Sequence, residues 1–178
     1  LASLLGMFTE LFVYSPLERR RASPLTALLS SLGLYIALVN LIALLFGNET
    51  KVLRPGVEAT FHFGSVILTR IQLAQILTAA TILPSFLIFL KATAWGKRIR
   101  ALRDNPMLVE VMGVNTRAVR LFVFGAGSAL AGMAAILSAL DVGMDPHVGM
   151  PMLLTASVAL IVGGVGTFEG AVIGAFLL

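Results

Sequence analysis

The chain is 178 residues long, and 58% of its residues are hydrophobic while only 12% are charged. A soluble globule of this length needs more polar surface, so that class is excluded and many apolar side chains must face lipid. The net charge of +4 lies in short loops rather than on one face with interleaved aromatics, and cysteine is absent, which argues against nucleic-acid binding and excludes disulfides and thiolate metal sites.

Uncharged apolar blocks predict an all-α, polytopic membrane protein, a bundle of transmembrane helices with one short helix outside the bilayer. A helix needs about 20 apolar residues to cross a hydrocarbon core of about 30 Å. In chain order the predicted spans are about 1–14, 25–46, 71–90, 118–140, 151–163 and 170–178. Because the chain opens on Leu1 and ends apolar, we expect a single transmembrane domain that is truncated at both ends.

The first two spans flank a short basic connection. Residues 1–14 are apolar apart from Glu10, and the run from Glu18 through three arginines to Arg21 predicts that the chain emerges there at a membrane surface. Residues 25–46 carry no charge and extend about 33 Å as a helix, which makes them the clearest span.

Residues 47–70 form a polar connection to the third span. They include Asn48, Glu49, Lys51, Arg54, Pro55, Gly56 and Glu58. Residues 60–63 alternate loosely, so we expect an exposed loop with a short strand or hairpin. His62 here and His147 in the next outer loop lack metal-ligand spacing or a nearby acid and serine arrangement, and we expect both to be solvated.

The third span, residues 71–90, is uncharged and contains Pro84, where a bend is expected. Its Gln72 and Gln75, together with Asn40 in the second span, are candidates to line a polar path. Hydrogen bonds between helices are the commoner role for such residues.

Residues 91–117 form the most basic connection. Within it Asn105 is placed to cap a helix that begins at Pro106 and stops at Gly113, with Glu110 in its early turns. One face of this helix is apolar and consists of Met107, Leu108, Val111 and Met112. Such a face rests either on the bilayer surface or on a cytosolic partner. Asn115 is placed to begin the following membrane helix.

The positive charges predict the orientation of the chain. Three arginines at 19–21 and seven Lys and Arg residues at 91–120 lie on one side, against Lys51, Arg54 and Arg70 on the other. The positive-inside rule assigns the first side to the cytoplasm, so residues 47–70 and 141–150 face outward.

Small residues mark the last spans. Gly125, Ser128 and Gly132 predict a helix seam within residues 118–140. In the tail, the four-residue spacing of Gly166, Gly170 and Gly174 favours close helix packing over contact with a solute. Gly163 and Gly164 are where we expect a helix break, which would expose backbone groups to a solute path. Glu169 is expected at the cytoplasmic boundary or in a pair.

Several of these segments resemble one family. The stretch Trp95-Gly-Lys-Arg-Ile-Arg-Ala-Leu-Arg-Asp-Asn, Val111-Met-Gly-Val-Asn115, the region from Gly125 to Gly132, and Asp145-Pro-His-Val-Gly149 look like the branched-chain amino-acid ABC transporter permease family. The glycine-rich tail from 163 to 174 resembles that family's glycine signature, and residues 24–45 are similar to its preceding helix. The Asp-Pro-x-x-Gly element and Ser31-Leu-Gly-Leu look more like the LivH-type subunit.

The resemblance implies an importer in a bacterial or archaeal cell (inner) membrane. Its partners would be a second permease subunit, cytosolic ATPases that hold ATP and magnesium, and an extracytoplasmic solute-binding protein. Asn105 to Gly113, with Asn115, would then be the coupling helix that docks on the ATPase. Val111 stands where Ala or Ser is often found, which weakens any inference about a particular ATPase. Importers of urea or short amides are close relatives, so the solute stays open.

No P-loop pattern GxxxxGK[ST] occurs, so ATP hydrolysis belongs to another subunit, and we expect neither an enzyme nor a cofactor or metal in this chain. The alternative of another class is a self-contained channel or secondary carrier. That class is typically marked by an internal repeat or midplane charges, and residues 25–46, 71–90 and 121–140 carry no charge. An intramembrane enzyme needs a nucleophile with a base or paired carboxylates, which the sequence does not supply there.

Overall fold

The computed structural model describes residues 1–20, 22–51, 60–63, 66–164 and 166–178. Arg21 and the predicted loop residues Arg54, Pro55, Gly56 and Glu58 lie outside them. The elements in chain order are α1 (Ala2–Thr9), a π-helical turn (Glu10–Tyr14), α2 (Ser15–Arg19), α3 (Pro24–Phe46), β1 (Thr60–Phe63), β2 (Val66–Thr69), α4 (Arg70–Ala92), α5 (Ala94–Asp104), α6 (Pro106–Val111), α7 (Thr116–Val142), α8 (Gly149–Gly163) and α9 (Phe168–Leu177). The predominantly helical architecture confirms the predicted fold class, with one small hairpin added.

Among the residues that the structure describes, three helices are long and apolar enough to cross a membrane: α3 and α4 with 23 residues each, and α7 with 27. They overlap the predicted spans 25–46, 71–90 and 118–140. Helices α8 and α9 pass the same test as a pair bent by 115°. Large apolar side chains such as Leu44, Ile136 and Phe176 are exposed on these helices, as lipid-facing residues are.

Residues 1–45 and 90–138 form a first compact unit. Its first helical stretch runs on to Arg19, past the predicted end of the span at 14. Pro16 lies in the first turn of α2, directly after the π-helical turn, and the helical stretch continues through it.

Helix α5 was not predicted, because the basic composition of residues 91–104 indicated a loop. Thr93 caps it, accepting a hydrogen bond from the Gly96 backbone N–H at 3.4 Å. Trp95, Ile99 and Leu102 are half-buried and recur at helical spacing. That spacing was the signal for the helix in the sequence.

Residues 46–89 and 139–178 form a second compact unit. Strands β1 and β2 pair antiparallel from Thr60 with Thr69 to Phe63 with Val66, which confirms the predicted hairpin. Elsewhere in this unit the backbones of Lys51 and Met144 form a two-way bridge, at 2.8 and 2.9 Å. The loops that follow α3 and α7 therefore meet.

Two polar residues suggested for a path through the membrane form local hydrogen bonds. The Gln72 side chain accepts from the Thr69 N–H, and the Thr69 hydroxyl accepts from the Gln72 N–H, both at 3.2 Å, which is a reciprocal cap for α4. The Asn40 amide donates to the Ile36 carbonyl of its own helix at 2.8 Å rather than to a neighbouring helix.

Candidate functional site

The short helix α6 is fixed at both ends by local chemistry. The Asn105 side-chain oxygen accepts from the backbone N–H groups of Met107 and Leu108, each at 3.1 Å, and Pro106 occupies the first turn. Gly113 ends the segment with a φ of 77°, which L side chains rarely adopt. The predicted cap, first residue and stop are thus confirmed.

One face of α6 is apolar and exposed. The exposed fractions of Met107, Leu108, Val111 and Met112 are 78%, 59%, 82% and 80%. Val109 is only 4% exposed and anchors the opposite face, a role that the sequence did not reveal. Four large apolar side chains gathered within two helical turns form the kind of patch that marks an interaction surface.

Hydrogen bonds between residues close in sequence connect α6 to the start of α7. The Thr116 hydroxyl donates to Glu110 Oε1 at 3.1 Å, and the Val114 N–H donates to the Val109 carbonyl at 3.2 Å. Asn115 caps α7 by accepting from the Ala118 N–H at 3.0 Å, as predicted. The short helix α6 is therefore connected by hydrogen bonds to the first turn of the 27-residue helix α7.

A charged cluster lies beside that first turn. Glu10, in the π-helical turn, has a side chain only 2% exposed, and its Oε1 lies 3.7 Å from Arg120 Nε. Arg120 also forms an ion pair with Glu18. The sequence drew attention to Glu10 only as an interruption, because nothing local indicates that a residue 110 positions later lies next to it.

Two cavities adjoin this cluster. The first, of about 280 Å³, is lined by Glu10, Glu18 and Arg120 with the rings of Tyr14 and Phe124. The second, of about 310 Å³, is lined by Ser15, Glu18, Arg117 and Arg120, together with Glu110 of α6. The cluster thus stands between the short helix α6 and the first helical stretch of the chain.

The predicted seam of α7 contacts α1. A Cβ added at Gly132 would lie 2.6 Å from the Ala2 Cβ, and one added at Gly125 would lie 2.5 Å from Met7 Cε. A Cβ on Gly6 would likewise lie 2.6 Å from the Ser128 Cβ. Gly125, Ser128 and Gly132 therefore sit where two helices approach closely.

The glycine-rich tail folds α9 against α8. Added Cβ atoms at Gly163 and Gly170 would overlap each other's backbone, and one at Gly174 would overlap the Ala159 carbonyl. α8 ends at Gly163, and Gly164 follows with a φ of 94°, which confirms the predicted break. Gly166 has a φ of 106° and lies in the turn before α9, and an added Cβ there would meet nothing within 4 Å among the described residues, so its packing role stays a prediction.

Two other polar residues that the sequence singled out, Glu169 and His147, lie at a helix start and in a loop of the second unit. Glu169 lies exposed in the first turn of α9. His147 is exposed but hydrogen-bonded, with Nε2 2.9 Å from Asn48 Oδ1, which corrects the expectation that it is simply solvated. Among the residues that the structure describes, no three His, Cys, Asp or Glu side chains lie together as a metal site.

Long apolar helices, small-residue seams and an exposed short helix define the chain as a multi-pass, all-α protein of the cell (inner) membrane. Its sequence matches the family described as "Branched-chain amino acid transport system / permease component" over residues 1–178. The chain belongs to this family of ABC transporter permeases. No solved structure matches it.

Individual relatives align along nearly the whole chain. It is 26% identical to the high-affinity branched-chain amino acid transport system permease protein BraD of Pseudomonas aeruginosa, over 99% of the chain and 59% of that protein. It is 29% identical to the high-affinity branched-chain amino acid transport system permease protein LivH of Salmonella typhimurium, over 100% of the chain and 59% of that protein. It is 32% identical to the autoinducer 2 import system permease protein LsrC of Yersinia pseudotuberculosis, over 99% and 51%. The chain thus spans between half and three-fifths of these relatives.

Proposed function

We propose that the chain is part of a permease subunit of an ABC importer for branched-chain amino acids, which contributes to the solute path and couples to a cytosolic ATPase through α6. The exposed apolar face of α6, fixed in place by Asn105 and Gly113, is the observation that carries this proposal. ATP and magnesium would be held by the ATPase. The other partners would be a second permease subunit and an extracytoplasmic solute-binding protein.

Burial of the apolar face would supply the docking energy. Each of Met107, Leu108, Val111 and Met112 gains about 1.5–3 kcal/mol when fully buried, as an upper bound for a docked side chain. A helix of six residues has little stability of its own, so its caps and the buried Val109 are what present the face to a partner.

A route from the docking face into the membrane is supported by contiguous contacts. Glu110 bonds to Thr116 at the start of α7, and Arg120, one turn further on, pairs with Glu18 and lies beside Glu10. We propose that movement of α6 on the ATPase shifts the first turn of α7 and, through Arg120, the π-helical turn that holds Glu10. The part of this chain that we propose to border the solute path is the helix break at Gly163 and Gly164, where α8 ends and an added Cβ at Gly164 would meet nothing within 4 Å among the described residues.

The docking experiment compares two valines exposed at distant positions. Val111 on α6 is 82% exposed, and Val142 at the other end of α7 is 75% exposed. In the full-length permease co-expressed with its partner subunits, we expect Val111→Asp to lower ATPase co-purification by about tenfold or more, because it places a carboxylate in an apolar contact. Val142→Asp should leave co-purification unchanged. Undiminished ATPase capture by Val111→Asp would refute docking through α6 and favour the bilayer surface as its partner.

The same variants report on the solute. We expect cells that express the wild-type permease to take up labelled leucine. Cells that express Val111→Asp should lose this uptake, and cells that express Val142→Asp should keep it. Uptake of labelled urea or a short amide in place of leucine would reassign the solute while leaving docking intact. Uptake by the permease in liposomes without ATPase would instead indicate a self-contained channel or secondary carrier.

A further inference from the structure

We propose that a basic edge of α5, formed by Lys97 and Arg98, binds the phosphate-bearing headgroups of anionic phospholipids in the leaflet that adjoins the C-terminal end of α4. The basic edge requires neither the proposed solute nor the proposed ATPase. It rests on where α5 lies, on which side chains it buries, and on which cations it leaves available.

The position of α5 is fixed against the end of a membrane span. A Cβ on Gly96 would overlap the Leu90 carbonyl oxygen, so only glycine lets the first turn of α5 approach α4 this closely. One turn later, Arg100 Nη1 donates to the same carbonyl at 2.8 Å. Two successive turns of α5 thus contact Leu90, next to the C-terminal end of the span predicted for residues 71–90.

The two faces of α5 differ in chemistry. Trp95, Ile99 and Leu102 are half-buried, whereas Lys97 and Arg98 are exposed. The Trp95 ring stacks on Phe122 of α7 with centroids 4.8 Å apart. An indole and aliphatic side chains on one face with cations on the other match the boundary between hydrocarbon and headgroups, where such helices lie.

The four cationic side chains of α5 differ in whether an oxygen acceptor already binds them. Arg103 is paired with Asp104 at 2.7 Å, and Arg100 is engaged with the Leu90 carbonyl. Arg98 lies 5.4 Å from the centre of the Trp95 ring, a cation–π contact that leaves its N–H donors available. The Lys97 ammonium has no partner among the residues that the structure describes. The oxygens of a phosphodiester can accept hydrogen bonds from both Lys97 and Arg98.

A lipid fits this surface better than a soluble phosphate or an acidic protein. Basic residues just beyond a transmembrane helix are attracted to anionic lipids, by roughly 1 kcal/mol for each Lys or Arg. Close approach to α4 keeps the basic edge at headgroup level, where the local concentration of phosphate is set by the bilayer itself.

Trp95, the one tryptophan of this sequence, supplies the readout. The full-length protein is reconstituted in phosphatidylcholine vesicles that contain phosphatidylglycerol, with bromine on the acyl chains of one lipid or the other. The Trp95 signal is isolated by subtracting the spectrum of Trp95→Phe. We expect brominated phosphatidylglycerol to quench it more than brominated phosphatidylcholine at equal content, and added salt to weaken the difference.

A matched pair of double variants tests the residues. Lys97→Gln with Arg98→Gln should lower the preference for phosphatidylglycerol by about thirtyfold. Arg20→Gln with Arg117→Gln removes the same charge from exposed positions outside α5, and this double variant should retain the preference for phosphatidylglycerol. Equal losses in both double variants, no preference in the wild type, or abolition of the preference by inorganic phosphate at matched ionic strength would each overturn the proposal. Loss of the preference on adding the ATPase would assign the basic edge to a protein partner.

Discussion

At the scale of single residues, the least expected feature is a carboxylate buried in an apolar protein. Glu10 is nearly inaccessible, and neither its Oε1 nor Arg120 Nε has a hydrogen-bond partner among the described residues. An isolated buried charge is expensive, so the guanidinium 3.7 Å away is what makes burial of the carboxylate tolerable. Arg120 is less dependent on Glu10, because Glu18 also pairs with it.

This imbalance predicts unequal effects of substitution. Arg120→Met leaves Glu10 buried without its cation and should lower the free energy of unfolding by about 3–5 kcal/mol. Glu10→Met leaves Arg120 paired with Glu18 and should cost less than about 1.5 kcal/mol. The double variant should be more stable than Arg120→Met, since no buried carboxylate remains. Unfolding of the full-length protein in mixed micelles measures all three, and equal losses in the two single variants would show that Arg120 does not balance Glu10.

At the scale of elements, the sequence predicted what local chemistry decides. Asn105, Pro106 and Gly113 act within a few residues, so the helix they delimit was predicted correctly. The partner of Glu10 was missed because the contact joins residues far apart in the chain, and α5 was missed because its charges masked its apolar spacing.

The glycines show the same limit of sequence reasoning. Gly170 and Gly174 lie on one helix and pack as their spacing suggests, whereas Gly166 stands outside it. A four-residue spacing predicts packing only where the helix is continuous, and the positive φ angles at Gly164 and Gly166 break it. The break itself was predictable because it depends on the glycines alone.

Two helical glycines allow the packing of α9 on α8 to be tested. Gly174→Ala would place a methyl group on the backbone of Ala159 and Gly163, so the helices must separate, and we expect a loss of about 1–3 kcal/mol in the free energy of unfolding. Gly33 in α3 has nothing within 4 Å, so Gly33→Ala should be neutral or slightly stabilising. If both variants unfold alike in mixed micelles, close contact at Gly174 does not hold α9 to α8.

At the scale of the whole molecule, contacts within each unit agree with the orientation predicted from charge. In the second unit the loops after α3 and α7 meet, through Lys51 with Met144 and Asn48 with His147. In the first unit Glu18, after the first helical stretch, pairs with Arg120 at the start of α7. Each pairing joins chain segments that the positive-inside rule assigns to one side of the membrane.

The orientation itself can be tested cleanly because this sequence contains no cysteine. In a cysteine-free full-length protein in intact cells, a membrane-impermeant maleimide should label Glu49→Cys, which is exposed in the loop after α3. Lys97→Cys and Met112→Cys, also exposed, should be labelled only after the membrane is permeabilised. The reason is that moving the basic loop across the bilayer would oppose the charge bias that orients membrane proteins. Labelling of Lys97→Cys in intact cells would place α6 outside, where no cytosolic ATPase can reach it.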